Sequence, residues 1–291
     1  MRTLEALLKE GTGILEKSGI KEAGLDAWLL LEYKTEKNRA YYFAHSDETV
    51  SEDTAEDYLR LITSRAQHIP LQHLTHQAFF MGYEFYVDEH VLIPRQDTET
   101  LVETALEVMK DSECPEILDM CTGSGCILLS LLKEKPGSSG VGADISPEAL
   151  LVARRNARSL GIEEKAKFVE SDTFSAPFFQ EKDGKEAGKY DILISNPPYI
   201  PTEEIEGLME EVRMHDPKGA LDGREDGLFF YRSITGQACR YLKKGGWLLY
   251  EIGCGQGSAV SELLRASGFT AVEIRKDLAG LDRVVLGRMP L

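Results

Sequence analysis

Residues 190–199 read Y-D-I-L-I-S-N-P-P-Y. Ile192, Leu193 and Ile194 form a short apolar run, the pattern of a strand buried on both faces. The run stops at Ser195 and Asn196, and two prolines then block further ladder pairing or an immediate helix. Pro197 also steers Asn196 away from the right-handed helical region. The stretch therefore predicts a stiff, polar-tipped loop at the carboxyl end of a buried strand, where open α/β sheets bind ligands. The Asn196 side-chain oxygen and a proline carbonyl can accept both hydrogens of a planar NH2, while Tyr199 offers an apolar face to the attached plane. A proline-stopped strand end with an Asn turn is the plainer alternative. It requires neither the second proline nor the tyrosine.

Around this run the chain alternates strand and helix, the sign of a parallel sheet. Glu116–Met120 is expected as a first strand, C-T-G-S-G at 121–125 as its loop, and Cys126–Lys133 as a helix. Val141–Ile145 is a second strand, ending in Asp144. Ser146, Pro147 and Glu148 then open a helix with cap, N1 proline and first-turn acid. Ala166–Glu170 is a third strand, followed by Ser171, Asp172, Thr173 and Phe174. The 190–195 strand is the fourth, 246–252 a fifth, and 270–275 with 283–286 a closing pair. Residues 180–189 read as a polar surface loop.

Upstream the rhythm differs. Residues 3–18, 22–33 and a segment capped by Ser51 carry helical apolar spacing, with Leu25, Trp28, Leu29 and Leu31 on the second and Tyr58, Leu59 and Ile62 on the third. Residues 1–75 thus predict a helical bundle without a catalytic constellation. His68, His73 and His76 lack a further ligand at metal-site spacing, and no metal is expected. The aromatic, β-branched stretch from Gln77 to Ile93, with Gly82 in its middle, suits a hairpin. Asp97 is expected to cap the helix that follows. Arg95 and Glu99 stand at that helix mouth.

The chain has 291 residues, enough for two domains, and a formal charge of −16. That field opposes sequence-indifferent binding to a phosphate backbone and favours a basic protein partner. No segment approaches the roughly 20 apolar residues of a membrane span. The first ten residues are too acidic for a signal or transit peptide. Five cysteines without a C-x-x-C suggest reduced thiols and a cytoplasmic setting.

The C-T-G-S-G loop carries the chemistry of a cofactor site. Gly123 and Gly125 let backbone approach a ligand at a helix N-terminus. Asp144 follows 19 residues after Gly125, near the ~20 expected for an acid that grips ribose hydroxyls. These features predict an adenosine-containing cofactor. The third glycine of a dehydrogenase fingerprint is replaced by Leu128, and nothing recognisable handles a nicotinamide. S-adenosylmethionine fits better, with Asp172 and Phe174 helping to form an adenine pocket. A second glycine cluster, Gly253, Gly255 and Gly257, has no acid at the required distance and is assigned a structural or substrate-side role.

D-M-C-T-G-S-G, the Asp144 strand end, S-D-x-F and N-P-P-Y together resemble a class I methyltransferase acting on a planar nitrogen. I-P-R-Q-D-T-E (93–99), D-P-K-G-A-L-D-G-R-E-D-G-L (216–228) and D-L-A-G-L-D-R-V-V (277–285) are more specific. With them the whole chain is similar to the HemK-type peptide chain release factor glutamine methyltransferases. The resemblance implies an α/β fold: a Rossmann-like seven-stranded sheet at 96–291, a hairpin linker at 76–95 and a substrate-recognising helical domain at 1–75. It implies methyl transfer from S-adenosylmethionine to the glutamine amide nitrogen of the Gly-Gly-Gln motif in release factors. Carried over by position, Cys121, Thr122, Gly123, Ser124, Gly125, Asp144, Asp172, Thr173, Phe174 and Asn196 would hold the cofactor. Asn196, Pro197, Pro198 and Tyr199, with Arg95 and Glu99, would hold the substrate, and Asn196, Pro197 and Tyr199 would serve catalysis. Cys121 stands where the family usually has glycine, Thr173 where many members have an aromatic, and Gln96 where proline is usual. Ribosomal-protein glutamine methylation and adenine-N6 methylation of nucleic acid share the N-P-P-Y problem and stay open as alternatives. A monomer without stable nucleic-acid or membrane association is expected.

Overall fold

A computed structural model describes residues 2–180 and 189–291; the loop expected at 180–189 lies, apart from its end residues, outside the described residues. The chain divides into two compact units, Met1–Gln77 with Met209–His215, and Ala78–Leu208 with Asp216–Leu291.

The first unit holds α1 (Leu4–Lys17), α2 (Ala23–Thr35), α3 (Arg39–Ala44), α4 (Glu52–Ala66) and α5 (Leu71–Thr75). The Thr3 and Ser51 side chains cap α1 and α4 by accepting from Ala6 N and Thr54 N. Leu4, Leu7 and Leu15 pack with Trp28, Leu30, Leu31, Tyr58 and Ile62. Leu25, expected inside, is 45% exposed, because α2 turns Ala23, Ala27, Leu30 and Leu31 inward instead. A Cβ at Gly11 would fall 2.1 Å from the Tyr58 hydroxyl, so only glycine at this point allows α1 and α4 to approach so closely. Buried Arg65 donates to Asp26 (2.7 Å) and to Glu211 (2.9 Å), tying in the 209–215 segment. That long-range attachment has no counterpart in the local sequence pattern.

The second unit begins with a hairpin, β1 (Ala78–Phe80) and β2 (Tyr83–Phe85). Its turn residues Met81 and Gly82 both have positive φ, 52° and 76°, which matches the twist of a tight hairpin. In chain order follow α6 (Glu99–Val108), β3 (Glu116–Met120), α7 (Cys126–Glu134), β4 (Ser139–Asp144), α8 (Pro147–Ser159), β5 (Ala166–Glu170), β6 (Tyr190–Ser195), α9 (Glu210–His215, within the segment just described), α10 (Lys218–Leu221), α11 (Phe229–Tyr241), β7 (Leu242–Glu251), α12 (Gly257–Ala266), β8 (Thr270–Lys276) and β9 (Asp282–Arg288). β3, β5 and β6 have the expected bounds, whereas β7 starts four residues before the expected 246. Asp97 does not cap α6. It lies in a 3-10 turn at Gln96–Thr98 and pairs with Arg283 at 3.2 Å.

The seven strands run in the order β5-β4-β3-β6-β7-β9-β8, parallel except for β9, which is antiparallel to both neighbours. Alternate residues of the central strands feed two apolar layers. Leu118, Met120, Leu193, Leu248 and Tyr250 meet Tyr231, Ile234 and Ala238 of α11. Ile117, Ile192, Ile194 and Leu249 meet Leu101 and Val102 of α6 and Leu128 and Leu129 of α7. The chain builds β3, β4 and β5 outward, then returns to place β6 on the opposite side of β3. The order reverses there, and the crevice between the carboxyl ends of β3 and β6 is where such sheets take ligands.

Candidate active site

The loop after β3 is shaped from below. Thr122 Oγ1 donates to Asp119 Oδ2 (2.5 Å), Thr122 N donates to Ala143 O (3.0 Å), and Gly125 N returns to Thr122 O (2.8 Å). Cys121 has φ 60°, in the left-handed region that glycine enters without cost. This explains why glycine is usual at this position in the family the sequence resembles. The Gly123 backbone has φ 53°, and a Cβ there would meet nothing within 4 Å, so the chain leaves open space above it. Leu128, in place of the third glycine, packs closely because Gly140 on β4 has no side chain: a Cβ at Gly140 would sit 2.6 Å from Leu128 Cδ1. Asn156 of α8 fixes the loop further, donating to Ser124 O (2.9 Å) and Tyr86 O (3.0 Å).

Asp144 closes β4 beside this loop. Its Oδ2 accepts from Gly123 N (2.8 Å) and its Oδ1 from Ser146 N (3.0 Å). Each oxygen keeps a lone-pair direction for a hydroxyl. Burial raises the Asp144 pKa, opposed by those backbone donors. Burial also pushes Asp119 up to about 7 and the Cys121 thiol well above its ordinary value, so the thiol stays protonated.

Above the loop opens a cavity of about 460 Å³. Of the residues expected at the cofactor, Cys121, Thr122, Gly123, Ser124, Asp144, Asp172, Thr173 and Asn196 line it. Of those expected at the substrate, Arg95, Asn196 and Pro198 line it.

Five residues expected at the site do not line the cavity. Phe174 is 2% exposed and stacks on Tyr241 at 4.3 Å, inside the core rather than on the cavity. The cause is Thr173, whose φ of 48° turns the chain inward, held by Ser171 Oγ donating to Thr173 O (2.7 Å). Exposed Ile145, directly after Asp144, lines the cavity and presents an apolar side chain there. Its signal in the sequence was its place at the strand end. Gly125 does not line the cavity: it starts α7 with φ 80° and faces Leu129 and Ala153, which a Cβ would meet at 3.1 and 3.2 Å. Glu99 instead accepts from Met81 N (2.6 Å), closing the hairpin turn. Pro197 and Tyr199 also lie outside the cavity wall. Tyr199 packs partly buried against the core, with its hydroxyl 3.4 Å from Glu251 Oε1.

The loop after β6 is anchored from several sides. Ser195 Oγ donates to Met120 O (2.6 Å), joining the ends of β6 and β3. Asn196 Nδ2 donates to Thr98 Oγ1 (3.4 Å). Gln256, in the second glycine cluster, was not singled out from sequence. Its Oε1 accepts from Gly253 N (3.0 Å) and Tyr231 Oη (3.3 Å), and its Nε2 donates to Tyr199 O (2.9 Å) and Gly227 O (3.3 Å). The cluster's structural role is thus to clamp the N-P-P-Y carbonyl. Arg95 pairs with buried Asp216 (2.7 Å), and Arg283 with Asp97 and Asp277 (3.2 and 3.0 Å). Those ion pairs join the three stretches 93–99, 216–228 and 277–285 around one crevice.

Comparison with known proteins agrees with this geometry. Residues 6–75 match a family model described as PrmC N-terminal domain, and residues 111–254 one described as Methyltransferase domain. The chain is 37% identical over 286 residues to a release factor glutamine methyltransferase of Clostridium acetobutylicum, covering 98% of each. It is 40% identical to the relative of that name from Moorella thermoacetica, again covering 98% of each chain.

The chain belongs to the release factor glutamine methyltransferase family.

The hMettl16 catalytic domain, solved with an RNA hairpin, shares the fold at 14% identity and a TM-score of 0.55, covering 81% of this chain and 82% of that one. The family's methyltransferase fold is therefore the one described above. Among the described residues no helix is long and apolar enough to cross a membrane. The five cysteines, all within the methyltransferase match, are free thiols.

Proposed function

We propose that this protein transfers a methyl group from S-adenosylmethionine to the side-chain amide nitrogen of the glutamine in the Gly-Gly-Gln motif of peptide chain release factors. The observation that carries the reading is the meeting, at one cavity, of the Asp144 loop and Asn196 within a chain related over nearly its full length to proteins of that name. That full-length relation favours it over ribosomal-protein or nucleic-acid substrates. A cytoplasmic setting follows from such a substrate.

The cavity suits this cofactor. Open space over Gly123 admits a ligand against the backbone, and the spare lone pairs of Asp144 match ribose hydroxyls. Ile145 and Thr173 offer walls for a flat base, with Asp172 beside them. Cys121 presents a neutral thiol, which adds no charge near a sulfonium. Bound there, S-adenosylmethionine supplies an electrophilic methyl group.

The protein's own task is to make a poor nucleophile attack. An amide nitrogen shares its lone pair with the carbonyl. Asn196 Oδ1 and a proline carbonyl of the N-P-P-Y turn, accepting both amide hydrogens, hold the NH2 in place and raise electron density on nitrogen. Fixing both partners in one geometry removes much of the entropic barrier. After transfer the nitrogen carries one hydrogen too many and is acidic enough to release it to solvent. Arg95, held by Asp216, stands at the rim for backbone carbonyls of the incoming loop. Residues 1–75 we assign to recognition of the release factor body.

The test offers the purified protein a release factor, the same factor with Gln→Ala in Gly-Gly-Gln, and adenine-containing DNA, each with labelled cofactor. Label in the first alone is expected. Label in DNA, or equal label in the Gln→Ala factor, refutes the reading.

A further inference from the structure

Three non-glycine residues of the cavity wall have positive φ: Cys121 (60°), Thr173 (48°) and Arg224 (70°). L-residues other than glycine avoid this backbone region, and strain of this kind gathers at functional sites. Cys121 and Thr173 belong to the loops expected at the cofactor. Arg224 belongs to neither and has no assigned role.

Its backbone is fixed beside the N-P-P-Y turn. Ile200 N donates to Leu221 O (3.1 Å), Gly223 N to Ile200 O (2.8 Å) and Thr202 N to Arg224 O (3.0 Å), a short parallel pairing that starts directly after Tyr199. A Cβ at Gly223 or Gly227 would fall 2.7 or 2.3 Å from the Tyr199 backbone, so this turn rests directly on it. Asp222 Oδ1 accepts from Arg224 N (2.9 Å) and Thr202 Oγ1 (2.7 Å), closing the turn. The Arg224 guanidinium is held far less firmly. Its Nη1 stands 3.6 Å from Asp222 Oδ2, beyond hydrogen-bond distance, and the side chain is 62% exposed. Arg95, which also lines the cavity, is instead committed to Asp216 at 2.7 Å.

We propose that Arg224 is a substrate-binding residue that grips peptide carbonyls of the loop carrying the target glutamine. A guanidinium is a planar fork of donors with no acceptor, able to serve two carbonyl oxygens at once. Glycines next to the glutamine leave those carbonyls unshielded by side chains. The pairing with residues 200–202 sets the fork beside the turn that holds the amide, and not on the Asp144 loop. Glycine would hold the same backbone without strain, but would leave the cavity wall without a donor at this point.

This inference rests on the proposed reaction, and its test keeps the two apart. Arg224→Gly removes the side chain and relieves the backbone, so the variant folds; Arg224→Lys keeps a charged donor on the same backbone. Steady-state kinetics with release factor are measured beside calorimetric affinity for S-adenosylhomocysteine and thermal midpoints. Arg224→Gly is expected to raise KM about five- to tenfold, the scale of one charge-assisted hydrogen bond at a partly exposed site. Its kcat and product affinity should stay within about twofold and its Tm should match or exceed wild type. Arg224→Lys should recover part of the lost KM. An unchanged KM in Arg224→Gly, or a lysine variant no better than the glycine one, overturns the role. A loss of S-adenosylhomocysteine affinity as large as the rise in KM overturns it too, because Arg224 would then serve the cofactor. A wild-type protein that does not methylate release factor refutes the reaction itself.

Discussion

Arg95 and Asp216 form an ion pair of 2.7 Å across 121 residues of chain, with the Asp216 side chain 1% exposed. Each lies in one of the stretches that distinguish this family from other methyltransferases. The pair shows what those stretches are for: they meet at the rim of the cavity. Arg95 is 44% exposed, so solvent screens the pair and its loss should cost less than the roughly 3–5 kcal/mol of a fully buried one. Arg95→Ala is thus expected to destabilise the protein as well as weaken release-factor binding, while Arg95→Lys keeps the charge and recovers stability. Thermal unfolding of both variants checks this; equal midpoints for Arg95→Ala and wild type would contradict it.

Asp144→Ala is expected to weaken binding of S-adenosylhomocysteine at least about tenfold, since a hydrogen bond to a charged group contributes about 1.5–3 kcal/mol. The loss also frees Gly123 N and Ser146 N, which Asp144 now holds. Calorimetry on the folded variant decides, and unchanged affinity would remove Asp144 from the cofactor site.

Phe174→Leu should behave oppositely. With its ring stacked between core neighbours, the substitution is expected to cost about 1 kcal/mol or a little more, a drop of about 2–4 °C in Tm for a domain of this size. Affinity for S-adenosylhomocysteine should stay within about twofold. A large affinity loss at unchanged Tm would return Phe174 to the cavity wall.

Gln256→Met keeps length and bulk but drops four hydrogen bonds, two of them to the carbonyls of Tyr199 and Gly227. The N-P-P-Y loop would lose its clamp, and turnover is expected to fall by roughly tenfold or more while cofactor affinity holds. Steady-state kinetics beside calorimetry separates the two effects, and a variant with full turnover would show the clamp to be dispensable.

Glu251 gives a pH signature. Burial lifts its pKa from the ordinary carboxylate value to about 7, opposed by the Thr98 hydroxyl and the Arg283 guanidinium. Between the unfolded value near 4.5 and about 7, the folded protein binds more protons than the unfolded chain. Stability therefore falls as pH rises through that window, by up to about 1.4 kcal/mol per pH unit for this group, and levels off above it. Glu251→Gln removes that share. Thermal midpoints between pH 5 and 8 should decline less steeply in the variant than in wild type. Parallel curves would mean that Glu251 is ionised throughout.

Much of the fold was legible because the buried strands are short β-branched and leucine runs ended by turn residues. β3, β5 and β6 keep the bounds read from their apolar pattern, and Ser146-Pro147 starts α8 as its cap chemistry requires. What escaped depends on direction or on distance in sequence. Phe174 and Ile145 both follow strand ends, and only the backbone turn at Thr173 decides which one faces the ligand. Asp97 has good capping chemistry, yet a 3-10 turn and the Arg283 pair take it elsewhere. Gln256 was not singled out because three of its four partners lie 25 to 57 residues away. Local periodicity carries no trace of such ties.

The central claim is that Asn196 presents an acceptor to a glutamine amide. Tandem mass spectrometry of release factor, after incubation with S-adenosylmethionine and either wild-type protein or Asn196→Ala, tests it most directly. With wild type, one added methyl group should map to the side-chain amide of the Gly-Gly-Gln glutamine; with Asn196→Ala its rate of appearance should fall by roughly 10²–10³, the scale of losing one positioned hydrogen-bonding group in a transition state. A methyl group on any other residue, or an undiminished rate with Asn196→Ala, would contradict the account.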